Sequence, residues 1–178
     1  MNDNHCLNAA RFCESPNFSE RPEGEKPSLL VIHNISLPPK QYGGPYIDQL
    51  FTNCLVCEDH PFFEEIAHLK VSSHLLIRRD GEIVQYVPFD KKAWHAGVSN
   101  FQGRAECNDF SIGIELEGCD DELFTEQQYD CLAEVTHLLM GLYPEITVGR
   151  IVGHSDIAPD RKTDPGPKFD WKRYLGSL

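Results

Sequence analysis

The sequence predicts a single α/β domain with a central mixed β-sheet flanked by helices. Three observations lead there. The 178 residues suit one domain and are enough to bury a substantial core. Apolar runs of strand length alternate irregularly with segments of helical period, not in strict βα order. Asp80-Gly81 stands between two β-rich runs, which marks a hairpin and so an antiparallel part of the sheet.

Residues 1–27 are polar and carry Pro16, Pro22, Gly24 and Pro27, so they read as an irregular arm packed on a domain spanning 28–178. Ser28 to Ile35 is an apolar run that predicts a buried strand. The Pro- and Gly-rich stretch from Leu37 to Pro45 predicts a loop, and Tyr46 to Cys54 and Pro61 to Leu69 predict short helices. Val71 to Arg78 and Glu82 to Val87 form the arms of the hairpin, and Phe110 to Glu117 alternates as a further strand. Thr125 to Tyr143 is the strongest helix. Thr125 and Gln128 are spaced for a capping box. Tyr129, Leu132, Val135, Leu139 and Leu142 form one apolar face, and Pro144 ends the helix. Val148 to Val152 predicts a last strand, and Asp170 opens a short terminal helix.

The formal net charge of -12 disfavours nucleic acid or an anionic membrane as partner, because both require a basic footprint. No apolar segment is long enough to span a bilayer, and the polar, acidic start carries no leader pattern. Seven scattered cysteines, an odd number, then suit reduced thiols in the cytosol. Cys54 and Cys57 form a lone C-x-x-C without the second pair that a structural zinc site needs, so they read as ordinary helical thiols.

Candidate chemistry gathers at strand ends. His33 closes Leu29-Leu30-Val31-Ile32, and His154 closes Ile151-Val152-Gly153. Two imidazoles plus a carboxylate can give a metal three ligands and leave a fourth position open, as catalytic zinc requires. Asp156, Asp160 and Asp164 all lie near His154. Acidic loop residues are mostly solvated, but Pro165-Gly166-Pro167 stiffens the backbone at Asp164, which favours it. Lys162, two residues away, can share its face and stabilise developing negative charge. In Ser111-Ile112-Gly113-Ile114-Glu115-Leu116-Glu117, the carboxylates share a face with Gly113, whose missing side chain would leave room for a ligand. Glu115 is deeper in the strand and the better general base; Glu117 is nearer the edge. His74, mid-strand, reads equally as core residue or site lining, and His95 as a ligand contact beside Trp94.

The segments Leu30 to Ser36, His74 to Val87, Ala93-Trp94-His95-Ala96-Gly97, Asn108 to Gly118 and Gly153 to Pro167 resemble, in unbroken order, the zinc-dependent N-acetylmuramoyl-L-alanine amidases. Within that family the resemblance is to the cytoplasmic branch that acts on 1,6-anhydro-muropeptides in cell-wall recycling. It implies the mixed sheet shared with peptidoglycan recognition proteins. It also implies one zinc ion per chain held by His33, His154 and Asp164, acid-base and oxyanion roles for Glu115 and Lys162, and a muropeptide groove lined by Asn34, Trp94 and Asn108. Phage-type relatives have cysteine in place of Asp164 and tyrosine in place of Ser73. Members of the recycling branch often have arginine where Lys70 and Glu106 stand. Lys70 keeps the charge but not the planar fork, so Lys70 or Arg104 is the expected contact for the peptide carboxylates.

What the resemblance implies is hydrolysis of the amide between the muramyl lactyl carbonyl and L-alanine, with Glu115 moving the proton and Lys162 facing the oxyanion. The expected partner is a small anhydro-muropeptide, and the expected state a monomer. Two other readings are an envelope amidase acting on polymeric peptidoglycan and a non-catalytic muropeptide-binding module. The complete ligand set weighs against the module, and the charge and the missing leader weigh against the envelope enzyme.

Overall fold

A computed structural model of the chain describes residues 5–178; the first four residues of the expected arm lie outside the described residues. The strands are β1 (Arg11–Phe12), β2 (Phe18–Glu20), β3 (Leu29–Ile35), β4 (Leu75–Ile77), β5 (Ile83–Gln85), β6 (Lys91–Ala93), β7 (Asn100–Phe101), β8 (Arg104–Ala105), β9 (Ser111–Glu117) and β10 (Ile151–Gly153). The helices are α1 (Tyr46–Phe51), α2 (Phe63–Ile66), α3 (Glu126–Leu142), α4 (His154–Ile157) and α5 (Trp171–Gly176). Six strands make the central sheet in the order β1-β5-β4-β9-β3-β10. All its pairings are parallel except β4–β5, the Asp80-Gly81 hairpin, so the sheet is mixed as expected.

β3 and β9 lie side by side in the middle and are buried on both faces, which their dense apolar content permits. Alternation sorts their side chains. Leu30, Ile32, Ile112, Ile114 and Leu116 join Tyr129, Leu132, Val135 and Leu139 of α3 in one core. Leu29 and Val31 lie in a second cluster with Phe110 and Ile157 on the other face. That second face therefore also receives His33, Ser111, Gly113, Glu115 and Glu117, which puts the polar positions of both strands together.

Four local expectations are corrected. The arm is not irregular throughout: β1 extends the sheet beside β5, and β2 pairs with β6. Val148–Arg150 is a 3-10 turn, and the last strand is Ile151–Gly153. Gly149 weakens strand formation there, and the Arg150 side chain reaches back to Ser28 instead. The helices at 46–54 and 61–69 shrink to α1 and α2, with a 3-10 turn at Cys57–Asp59. Leu142, placed on the apolar face of α3, is 40% exposed. The capping box of Thr125 and Gln128 forms as its spacing predicts.

Candidate metal centre

The register of the two central strands sets the site. His33 stands directly opposite Glu115 on the neighbouring strand. Gly153 pairs with Ile32 on the other side of β3, so the next residue, His154, leaves the sheet beside His33. His154 opens α4, where the Gly153 amide donates to Asp156 Oδ2 at 2.7 Å. The chain then returns through the Thr163–Gly166 turn. Gly166 has φ +81°, and any Cβ on it would collide with Asp120 at 2.4 Å, so the turn needs glycine. Ser155 N–H donates to the Asp164 carbonyl at 3.0 Å, and Asn34 Nδ2 donates to the Pro165 carbonyl at 3.1 Å. These bonds hold Asp164 against the two histidines.

His33 Nδ1, His154 Nδ1 and Asp164 Oδ2 lie 3.0 Å from one another on all three sides. A tetrahedron with metal–ligand bonds of about 2.0–2.1 Å has edges of about 3.3 Å, so the triangle suits three ligands of one zinc ion. The protonation pattern agrees. His154 Nε2 lies 3.0 Å from the Ala96 carbonyl, which only accepts, so Nε2 carries the proton and Nδ1 presents a lone pair. Burial pushes the His33 pKa down to about 4, keeping it neutral. Two imidazole nitrogens and a carboxylate oxygen make a donor set that zinc takes.

These groups share a cleft of about 240 Å³ with Asn34, Trp94, His95, Glu115 and Lys162. Glu115 is 8% exposed, and its Oε2 has no hydrogen-bond partner. Burial, reinforced by Asp164, pushes its pKa well above the usual carboxylate range, against the pull of Lys162. Glu117 differs sharply. It accepts from Gly43 N at 2.7 Å, Arg78 Nη1 at 3.1 Å and Arg79 N at 3.2 Å, and so is fully engaged. It borders a separate cavity of about 570 Å³ that holds none of the metal cluster. Glu115 is therefore the available carboxyl.

The other expected residues divide. Lys162 is exposed at the cleft, and Trp94 forms part of its wall, its indole N–H donating to Ser19 Oγ at 3.1 Å. Asn34 touches the cleft but spends its amide on Asp120 and Pro165. Asn108 does not line it; its Oδ1 accepts from the His95 and Ala96 amides at 3.2 and 2.8 Å and so sets the backbone behind the cleft. Lys70 is exposed between the lining residues Leu69 and Val71. Arg104 is not brought to the cleft: it pairs with Glu25 at 2.5 Å and lies over the Phe110 ring. His74 is fully buried in the core. The space at Gly113 is no ligand site: a Cβ there would meet the His95 ring at 2.5 Å. Sequence reading missed Ser111 and Asp120; the period-2 row of Ser111, Gly113 and Glu115 was the available signal for the first.

No disulfide is present, and no helix is long and apolar enough to cross a membrane, both among the described residues. Residues 23–167 match the family described as N-acetylmuramoyl-L-alanine amidase. The chain is 64% identical over 172 residues to the 1,6-anhydro-N-acetylmuramyl-L-alanine amidase AmpD of Salmonella typhimurium (strain SL1344), covering 97% of this chain and 91% of that protein. A crystal structure of a selenomethionine derivative of AmpD matches with a TM-score of 0.97 at 59% identity, over 100% of this chain and 99% of that one. The amidase AmiD from E. coli, solved with its substrate anhydro-N-acetylmuramic acid-L-Ala-D-gamma-Glu-L-Lys, matches with a TM-score of 0.63 at 27% identity, over 90% of this chain and 65% of that one.

Proposed function

The chain belongs to the N-acetylmuramoyl-L-alanine amidase family, and from that premise we propose that it hydrolyses the amide between 1,6-anhydro-N-acetylmuramic acid and L-alanine in muropeptides recycled from the cell wall. The observation that carries this reading is the convergence of His33, His154 and Asp164 in one cleft with the unpartnered carboxyl of Glu115. One zinc ion is assigned to those three ligands. Bound there, zinc supplies Lewis-acid polarisation of the scissile carbonyl and an acidified water. Glu115 takes a proton from the attacking water at Oε2 and returns it to the leaving nitrogen of L-alanine. Its raised pKa suits both directions of transfer. The Lys162 ammonium meets the carbonyl oxygen as negative charge develops. The C–N bond breaks, the carbonyl carbon gains the water's OH and the nitrogen gains its H.

Trp94 and Asn34 form the cleft wall toward the sugar, and Lys70 at the rim meets the peptide carboxylates. Asn108 serves by fixing the His95-Ala96 backbone. Residues 1–27 are read as an arm belonging to the amidase domain 28–178, and the enzyme as a cytoplasmic monomer. The net charge of -12 supports small fragments over an anionic sacculus as substrate. The test is a side-by-side digestion of anhydro-muramyl tripeptide and purified sacculi at equal bond concentration, with metal analysis of the same sample. One zinc per chain and much faster cleavage of the small substrate are expected. Comparable rates on both would favour the envelope-amidase reading.

A further inference from the structure

His33 presents one ring nitrogen to the ligand triangle and the other to a side chain outside it. Its Nε2 lies 2.9 Å from His95 Nδ1, and His95 Nε2 lies 3.1 Å from Ser111 Oγ. The two rings meet edge to face, 5.0 Å apart with an 86° angle between planes. His95 is held from three sides. Below it, the bare Cα of Gly113 gives the ring its seat, since a Cβ there would come within 2.5 Å of Cγ and 2.6 Å of Nδ1. Behind it, Asn108 clamps its backbone amide. At its far end Ser111, fully buried, is itself fixed by Arg21 Nη2 donating to its carbonyl at 2.9 Å. Ser111, Gly113 and Glu115 are alternate residues of one strand face. A single face of β9 thus carries the anchor and seat of His95 as well as the carboxyl that faces the reaction.

We propose that His95 is a positioning residue for His33. It accepts the His33 Nε2–H at its own Nδ1 and donates its Nε2–H to Ser111, which holds His33 in the tautomer whose Nδ1 lone pair faces His154 and Asp164. Gly113 and Ser111 are parts of the same device. The inference rests on the zinc assignment above. Partners of this kind fix ring orientation and raise ligand basicity, and their loss weakens metal binding by roughly 10–100-fold.

The test is zinc affinity by chelator competition, with ring tautomers read by long-range ¹H–¹⁵N correlation on the zinc-loaded protein. His95→Leu should weaken zinc by about 10–100-fold, and Gly113→Ala should shift affinity the same way by displacing the ring. Ser111→Ala should weaken it measurably while leaving both rings in place. His95→Gln should stay within about threefold of wild type, because its amide can accept from His33 and donate to Ser111. In wild type, His95 should be the Nε2–H tautomer. Wild-type affinity in His95→Leu, no rescue by glutamine, or His95 protonated at Nδ1 would each overturn the inference. Wild-type protein that binds no zinc would instead sink the metal assignment on which it rests.

Discussion

At the scale of single residues, the site sets two carboxyls in one cleft with different partners. Asp164 closes the triangle with the two histidines, while Glu115 has an unpartnered oxygen and is raised by burial and by Asp164 itself. That difference supports the proposed ligand role for Asp164 and the proposed proton-transfer role for Glu115. Glu115→Ala should keep its zinc and lose turnover by roughly 10²–10⁴-fold, whereas His154→Ala should lose both metal and turnover. Metal content and rate measured on the same preparations separate the two. Near wild-type turnover in Glu115→Ala would move the role to Lys162. The cluster of His33, His154 and Asp164 was legible in the sequence because His33 and His154 close apolar strands and a Pro-Gly turn follows Asp164. Period-2 alternation also put Glu115 on the right face. Alternation says which way a side chain points but not what lies opposite, so the room at Gly113 was assigned to a ligand when His95 fills it. For the same reason Arg104 was expected at the cleft, although its partner Glu25 is distant in sequence.

Whole elements were legible where they carry many periods of one pattern. α3 has 17 residues and a capping box, and the Asp-Gly hairpin has its turn chemistry, so both stand out locally. β1 has two residues and exists because Arg11 and Phe12 meet Val84 and Gln85, more than 70 positions away; no two-residue window carries that information. The shortened α1 and α2 likewise reflect tertiary packing overriding a weak helical pattern. The division of labour between elements is itself testable. α3 packs on the sheet face opposite the cleft, so its cap should matter for stability and not for chemistry. Thr125 Oγ1 accepts from the Gln128 amide at 3.2 Å and donates to the Arg79 carbonyl at 2.8 Å. Thr125→Ala should therefore cost about 1–2 kcal/mol in urea unfolding and leave kcat/KM unchanged. A fall in kcat/KM at full folding would mean that the two faces of the sheet are coupled.

Across the whole molecule, three imidazoles run through the interior beside β9. His33 and His95 have ring centroids 5.0 Å apart, and His95 and His74 5.8 Å. His33 is engaged with His154 and Asp164, so His74 is the ring whose titration reports folding alone. It is fully buried, its Nδ1 accepts from Gly113 N at 3.0 Å, and the Arg21 guanidinium stands 3.2 Å from its Nε2. Burial first, and Arg21 second, push its pKa down to about 3. In the unfolded chain the same group titrates near 6.5. Between those values the unfolded chain binds a proton that the folded protein does not. The stability that His74 contributes is thus present above pH 6.5 and is lost as pH falls toward 3, by up to about 1.4 kcal/mol per pH unit. Acid also brings the net charge of -12 toward zero and relieves self-repulsion, an effect of opposite sign. A comparison of wild type with His74→Gln cancels that second effect, because the surface charges are the same in both. The unfolding free energy of wild type should fall more steeply than that of the variant from pH 6.5 to 5, the gap in slope approaching 1.4 kcal/mol per unit at the acid end. Parallel slopes in urea unfolding over that interval would mean that His74 takes up its proton in the folded protein, and that the buried column of rings admits charge.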